Sequence, residues 1–175
     1  MPASSHLEEV GSRIWSASCA VDELFIALKL GPEVGRALDL AEAWVRRWTV
    51  TWSVAGSELC CPVSELSSVP VRDAEPVRHF NWRPRQRHRP GLEFLVTTGR
   101  QHGFESLEER SFLRAVDFAG AVRGVLSQPF RIRFKTADGK SRSHIPDYLV
   151  MMPGGCWLVD VRPLHLAGVD SHSAW

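Results

Sequence analysis

The sequence has few lysines and little net charge, and both shortages limit how it could contact nucleic acid. Only three of its 21 basic residues are lysines, and the other 18 are arginines. Arginine forms bidentate hydrogen bonds with phosphate and guanine, whereas lysine acts as a point charge. The formal net charge is only +1, so the chain is not a polycation. Any contact with nucleic acid must therefore come from local basic segments.

Cysteines and long apolar runs are also scarce. None of the four cysteines, which are Cys19, Cys60, Cys61 and Cys156, forms a C-x-x-C pair. This spacing argues against a conventional zinc site and against a secreted disulfide scaffold. No apolar run reaches the ~18 residues of a transmembrane helix, and the N-terminus lacks a signal-peptide pattern. We therefore expect a cytoplasmic protein that makes no membrane contact.

The length and apolar content are enough for one domain with a hydrophobic core. The chain has 175 residues, of which 44% are hydrophobic. Apolar residues at intervals of three and four predict helices between residues 21 and 48, divided by L-G-P at 30–32. The alternating segment that follows predicts a β-hairpin. We therefore predict a helical extension over residues 1–48 and a β-hairpin with its connector over residues 49–75.

A basic, aromatic-bearing segment follows the hairpin. Residues 78–89 contain five arginines, two histidines, Phe80 and Trp82, and no acidic residue. Prolines at 76, 84 and 90 predict an extended loop. Such a loop suits a phosphate backbone or an unstacked base, although a solvated connector is an equal alternative. The predicted DNA-binding residues are Arg78, Trp82, Arg83, Arg85, Arg87 and Arg89.

The next segment predicts a helix that carries acids on its packing face. We place this helix over residues 104–118, with T-T-G at 97–99 as its cap. Four residues on one stripe are spaced four, three and four apart: Glu105, Glu109, Phe112 and Val116. Acids on a packing face are costly unless they are paired or bound to a metal ion.

Three or four strands joined by tight turns are predicted after the helix. A-D-G-K at 137–140 is a hairpin turn signal, and P-G-G at 153–155 joins two further apolar strands. Asp147 begins the first of these strands, and Asp160 lies deep within the second. Arg162 is two residues further along, on the same face as Asp160. A hairpin would bring the two aspartates together, and the helix could add Glu109.

Three acids and a cation around one point would suit hydrolysis of a phosphodiester. Mg²⁺ takes oxygen ligands, polarises a phosphoryl group and lowers the pKa of bound water. A nearby cation stabilises the charge that develops in the transition state. Taken singly, each of these acids also has an ordinary structural explanation, as a turn residue, a cap or an edge salt bridge.

Four segments together resemble the TnsA-like endonuclease subunits of heteromeric transposases. They are G-F-E-S-L-E-E-R-S-F-L-R-A-V-D-F, V-L-S-Q-P-F, S-H-I-P-D-Y-L-V and W-L-V-D-V-R-P. The resemblance covers residues 76–163 and implies a nuclease core of the PD-(D/E)xK superfamily. The implied fold class is α/β of the α+β type: a restriction-endonuclease-like core in which a helix packs on a central mixed sheet.

The resemblance also implies roles for individual residues. The catalytic residues would be Glu109, Asp147, Asp160 and Arg162, with Glu109, Asp147 and Asp160 as the metal ligands. Supporting roles near the site would fall to Glu105, Gln128 and His144. Arg162 stands where the family usually has lysine. It cannot act as a base, but it can offset transition-state charge or contact the scissile phosphate.

The implied activity is cleavage of double-stranded DNA at the 5′ ends of a transposon, with Mg²⁺ or Mn²⁺ as cofactor. A DDE transposase subunit (TnsB-like) is the implied partner, and an ATPase regulator is a further candidate.

The chain ends twelve residues after Pro163, whereas the family's core continues with another helix and strand. A truncated, inactive nuclease-fold protein that binds DNA or serves as an accessory is therefore an alternative, with residues 164–175 as a short tail. An unrelated nuclease of the same fold and a protein-interaction module are further alternatives.

Overall fold

The computed structural model describes residues 32–78 and 90–162, and within these ranges strands predominate over helices. The three α-helices are α1 (Pro32–Arg36), α2 (Trp44–Arg47) and α3 (Leu107–Ala119). The strands before α3 are β1 (Thr49–Val54), β2 (Ser57–Pro62), β3 (Ala74–Glu75), β4 (Gly91–Leu95) and β5 (Arg100–Phe104). The strands after it are β6 (Gly124–Ser127), β7 (Phe130–Lys135), β8 (Ser141–His144), β9 (Tyr148–Met152) and β10 (Gly155–Val159).

The strands form three antiparallel sheets. The largest has the order β2-β1-β7-β8, with β3 also paired to β1. The second has the order β10-β9-β6, and β4 and β5 form the third. The predicted mixed α and β composition is confirmed, but the prediction of a central mixed sheet is wrong for the described residues. Tight turns join most of these strands, and a parallel pair would need a crossover of a dozen or more residues.

The three-stranded sheet lies between two apolar layers. On one side, its Leu126 and Leu149 pack with residues of the five-stranded sheet, namely Val50, Trp52 and Phe130. On the other side, Val125, Tyr148 and Val150 pack with residues of α3 and the β4–β5 hairpin, namely Leu95, Phe104, Phe112, Leu113 and Val116. Successive residues of a strand point to opposite faces, so β6 and β9 supply both layers. The hydrophobic core therefore has two parts, with the three-stranded sheet in the middle.

The N-terminal predictions have mixed outcomes. The β1–β2 hairpin is confirmed, and Ala55 (φ 48°) and Gly56 (φ 75°) form its turn. The prediction of one continuous helix through residues 33–48 is wrong, because only the short helices α1 and α2 are present there. Between them, Leu38 instead forms an isolated β-bridge with Thr136, directly after the end of β7. Tertiary pairing therefore overrides the helical periodicity here. The remainder of the predicted helical extension lies outside the described residues.

The helix α3 is confirmed, but its predicted cap is wrong. Ser106 is the N-cap, and its hydroxyl accepts a hydrogen bond from the Glu109 backbone N–H at 3.1 Å. The T-T-G sequence at 97–99 instead belongs to the turn between β4 and β5. Gly120, with φ 70°, ends the helix.

Five strands follow the helix in the described residues, not three or four. The A-D-G-K turn between β7 and β8 is confirmed. Strand β8 is the additional strand, and its sequence S-R-S-H has no apolar alternation that could have revealed it. No helix in either described range is long and apolar enough to cross a membrane.

Candidate functional site

Asp147 and Asp160 lie next to each other at one end of the three-stranded sheet. Tyr148 and Val159 are paired across β9 and β10, so Asp147 directly precedes one strand and Asp160 directly follows the other. The prediction that Asp160 lies deep within a strand is therefore wrong. The Asp147 carboxylate accepts the Val161 N–H at 2.7 Å, so this N–H donates to a side chain and the backbone ladder ends.

Asp160 also contacts the neighbouring sheet through His144. The Nε2 atom of His144, at the end of β8, lies 2.9 and 3.0 Å from the two carboxylate oxygens of Asp160. Both side chains are partly open to solvent. The pair therefore joins the end of the five-stranded sheet to the end of the three-stranded sheet, beside Asp147.

Glu109 reaches the same end of the sheet from the first turn of α3. Its Oε2 atom accepts the Glu105 backbone N–H at 2.8 Å and lies 3.3 Å from the Tyr148 hydroxyl. Burial raises the pKa of Glu109, and the negative charge of Asp147 raises it further against the opposing hydrogen bonds. Sequence reasoning predicted Glu109 here, but its hydrogen bond to Glu105 also stabilises the start of the helix.

Asp147 is likewise held in a setting that disfavours its charged form. Burial raises its pKa, and the charge of Asp160 acts in the same direction. The Val161 N–H, Arg162 and His144 oppose the rise without cancelling it. In the described residues, neither Asp147 nor Glu109 forms a salt bridge. Two carboxylates that repel one another are thus partly buried without a directly paired cation.

Tyr148 is a site residue that sequence reasoning missed. Its hydroxyl donates to the Gly103 carbonyl at 2.9 Å and lies beside Glu109. Its ring stacks on Phe112 with 5.2 Å between centroids, and burial raises the pKa of the phenol above its ordinary value. The available signal was its position directly after Pro146 and Asp147, as the one tyrosine of the chain.

Gln128 connects the start of the basic segment to Asp147. Its backbone N–H donates to the Asp147 carbonyl at 2.7 Å, and its side-chain oxygen accepts from Arg78 Nε at 3.2 Å. Arg78 also pairs with Glu105 at 2.5 Å. Gln128 is buried and has φ 47°, an uncommon backbone conformation for a residue other than glycine. The predicted supporting residues Gln128 and Glu105 are therefore tied, through Arg78, to the predicted DNA-binding segment.

Of the remaining predicted site residues, only Arg162 lies within the described residues. Arg162 is exposed and close enough to Asp147 to favour its charged form. The predicted DNA-binding residues after Arg78, which are Trp82, Arg83, Arg85, Arg87 and Arg89, lie outside the described residues. Within 32–78 and 90–162, no three His, Cys, Asp or Glu side chains are grouped so as to hold a metal ion. The three-carboxylate ligand set therefore stays a prediction.

Comparison of the chain with protein-family models, with curated proteins and with solved structures gives no match. What can be said of function therefore rests on the residues themselves and on their arrangement.

Proposed function

We propose that the chain is a metal-dependent DNA endonuclease subunit of the TnsA-like type. Its substrate would be double-stranded DNA at the 5′ ends of a transposon, and it would act alongside a DDE transposase subunit, with an ATPase regulator as a further partner. One observation carries the proposal: Asp147 and Glu109 are neighbouring, partly buried carboxylates with raised pKa values and no salt bridge in the described residues. A partly buried carboxylate without a paired cation is costly, and strongly shifted pKa values cluster at functional sites.

The donor set fits a divalent cation. Mg²⁺ and Mn²⁺ take carboxylate oxygens and keep several waters for the substrate to displace. Asp147 and Glu109 would hold the ion, with Asp160 as the third candidate ligand. The positive charge of the ion would offset the repulsion between neighbouring carboxylates, which contributes to the raised pKa values of Asp147 and Glu109. When bound, such an ion supplies polarisation of the scissile phosphate and a more acidic water.

The surrounding residues position this pair. The Val161 N–H fixes one oxygen of Asp147, and the Glu105 N–H fixes one oxygen of Glu109. Arg162 is exposed beside Asp147, where its guanidinium can contact the phosphate or offset developing charge. It cannot accept a proton, so the attacking water must lose its proton to another group.

The proposal is tested by Mn²⁺ binding and by DNA cleavage. We expect Asp147→Asn and Glu109→Gln each to weaken Mn²⁺ binding at least tenfold in calorimetry, because an amide cannot supply a charged ligand. Both should abolish Mn²⁺-dependent nicking in the presence of the partner transposase. Glu108→Gln is the matched control, since Glu108 is the exposed neighbour of Glu109 on the same helix. Unchanged Mn²⁺ binding by Asp147→Asn would rule out the proposed site.

A second candidate is a DNA-binding accessory protein that does not cut. The observation that favours it is the contact of His144 with both oxygens of Asp160, which competes with metal binding by that carboxylate. Such a protein would bind duplex DNA but would neither bind Mn²⁺ at Asp147 nor nick DNA with any partner.

A further inference from the structure

We propose that the outer face of the five-stranded sheet binds the phosphate backbone of duplex DNA, as a surface separate from the carboxylate site. The choice of DNA as the ligand rests on the proposed nuclease function. The surface is defined by Arg131, Arg133 and Lys135 of β7 and is called the basic face below.

The alternation of β7 separates the basic face from the core. Phe130 and Phe134 are buried, and Phe130 packs on Trp52 with 4.7 Å between ring centroids. Arg131, Arg133 and Lys135 occupy the intervening positions and therefore point away from that core. Arg133 and Lys135 are exposed, and Arg131 is partly exposed.

The strands on both sides of β7 surround these cations with hydroxyl groups. On the β1 side, Thr49 is paired with Arg133 and is partly exposed, whereas Thr51, which is paired with Arg131, is buried and accepts a hydrogen bond from Arg133. On the β8 side, Ser143 is paired with Arg133 and Ser141 with Lys135. Hydroxyls and guanidinium groups are both common donors to phosphate oxygens. The face therefore combines positive charge with neutral donors at defined positions.

The three cations differ in their pairing from five other basic residues. In the described residues none of them forms a salt bridge, whereas Arg47, Arg78, Arg110, Arg114 and Lys140 all do. The hydrogen bond that Arg133 donates is to the neutral Thr51 hydroxyl, at 3.1 Å. Within the described ranges, three acids border this face: Glu58 and Glu75 are both paired with Ser53, next to the Arg131 end of the row. Asp39 lies opposite Lys135, where its N–H donates to the Lys135 carbonyl, and its carboxylate is in a salt bridge with Arg47.

The spacing of the row fits a polyanion with regularly repeated charges. Residues two apart on a strand are separated by roughly 7 Å, which is close to the distance between successive phosphates along a nucleic-acid strand. An acidic β-strand of a protein would repeat its charges at the same interval, so the spacing alone does not select DNA. The hydrogen bond to Thr51 also holds Arg133 in place before binding, which reduces the entropy lost on contact.

The basic face and the carboxylate site lie on different sides of the five-stranded sheet. His144 is paired with Ile132, so its side chain is on the same side as Phe130 and Phe134 and opposite to Arg133. DNA bound to the basic face is therefore not the segment at Asp147 and Glu109. The basic face instead supplies binding affinity that does not depend on the sequence of the DNA.

The test is equilibrium binding of the full chain to a fluorescent duplex oligonucleotide of arbitrary sequence, measured by anisotropy in EDTA across a salt series. The variant Arg133→Gln/Lys135→Gln removes two charges from the basic face. The variant Arg100→Gln/Arg123→Gln removes two exposed charges from other elements. Ser141→Glu/Ser143→Glu adds two acids to the face and leaves its cations unchanged.

We expect the first and third variants to weaken binding several-fold, and the first to reduce the slope of log K against log salt by about two. The Arg100/Arg123 variant should stay within twofold of the wild type. Equal weakening by both charge-removing variants, or no weakening by the first, would overturn the basic face. EDTA suppresses metal-dependent cleavage, so this result is independent of the nuclease proposal. If the variants bind DNA as expected but the wild type does not nick it, the nuclease proposal alone is rejected. If the wild type nicks DNA but Arg133→Gln/Lys135→Gln binds it as tightly as the wild type, the basic face alone is rejected.

Discussion

At the scale of single residues, the carboxylates whose pKa values are shifted fall into two electrostatic classes. Glu93 accepts hydrogen bonds from Arg114 and Arg110, and these lower its pKa. Asp147 and Glu109 have raised pKa values, chiefly through burial. The first class stabilises the folded chain at neutral pH, and the second destabilises it. A site that costs stability in the absence of a ligand is typical of function.

The different signs of these shifts predict opposite effects of amide substitution. Because the pKa of Asp147 is higher in the folded chain than its ordinary 3.8, stability falls as pH rises through and above that ordinary value. Asp147→Asn removes this loss, and we expect it to make the chain more stable than the wild type at pH ~7, with a higher urea midpoint. The gain should vanish below about pH 3, where the wild-type carboxyl is also neutral.

Urea denaturation at both pH values measures this effect, with Glu93→Gln as the control of opposite sign. That variant should be less stable than the wild type at pH ~7, and the difference should shrink as pH falls. A destabilised Asp147→Asn at neutral pH would contradict the assignment of Asp147 as an electrostatic cost.

At the scale of elements, α3 and the β4–β5 hairpin are joined by side chains as well as by apolar packing. Asp117, near the end of α3, accepts the N–H groups of Val96 and Thr97 and the Thr97 hydroxyl, at 2.7 to 3.0 Å. Burial acts to raise the pKa of Asp117, but these hydrogen bonds outweigh it and the pKa is lowered. The helix end therefore serves as the anchor for the turn.

Removal of this anchor should loosen the hairpin without unfolding the helix. We expect Asp117→Ala to cost about 1–3 kcal/mol, because two backbone donors lose their acceptor. Amide hydrogen exchange should quicken most at Val96 and Thr97. Glu108→Ala, at an exposed position of the same helix, should change neither measurement appreciably. Uniformly quickened exchange along α3 would show that Asp117 supports the helix instead.

The sequence was informative where a local rule decides an element. The alternation of the β1–β2 hairpin, the A-D-G-K turn and the apolar stripe of α3 all follow from local patterns, and all three are observed. The end of β10 could not be predicted, because it depends on a side-chain contact across the hairpin, in which the Asp147 carboxylate accepts the Val161 N–H. Strand β8 depends in the same way on pairing with β7, and residues 37–39 depend on pairing with residues 135–137.

The candidate site could be predicted in part for the same reasons. Asp147 next to Asp160 follows from a two-strand hairpin, and Glu109 follows from helical spacing. Tyr148 beside Glu109 and His144 on Asp160 require knowledge of how the sheets stack. Contacts between layers are set by tertiary packing, which short-range periodicity does not encode.

At the scale of the whole molecule, the N-terminal hairpin is built into the fold. Strand β1 pairs with β7, and Trp52 is 1% exposed against Phe130 and the three-stranded sheet. The predicted boundary between residues 49–75 and the nuclease core at residue 76 is therefore crossed by strand pairing and by core packing.

Loss of Trp52 should therefore destabilise the entire described structure. We expect Trp52→Ala to cost about 3–5 kcal/mol, as for other large buried aromatic residues. Fluorescence and far-UV circular dichroism should report one coincident unfolding transition at a lower urea midpoint. Trp157→Ala, at a position 38% exposed, should cost much less. A first transition confined to the hairpin, with the remainder intact, would show that residues 49–75 are a separate unit.

The chain's route between its two larger sheets has a consequence for the order of folding. It leaves the three-stranded sheet after β6, forms β7 and β8 in the five-stranded sheet, and returns as β9 beside β6. The β7–β8 and β9–β10 hairpins can form from neighbouring residues, but β1 must find β7 across a long intervening chain. Closure of such a loop carries the larger entropic cost. We therefore expect the long-range β1–β7 junction to form last, after the local hairpins, and Thr51→Gly in β1 to slow refolding in stopped-flow fluorescence more than Ser143→Gly in β8.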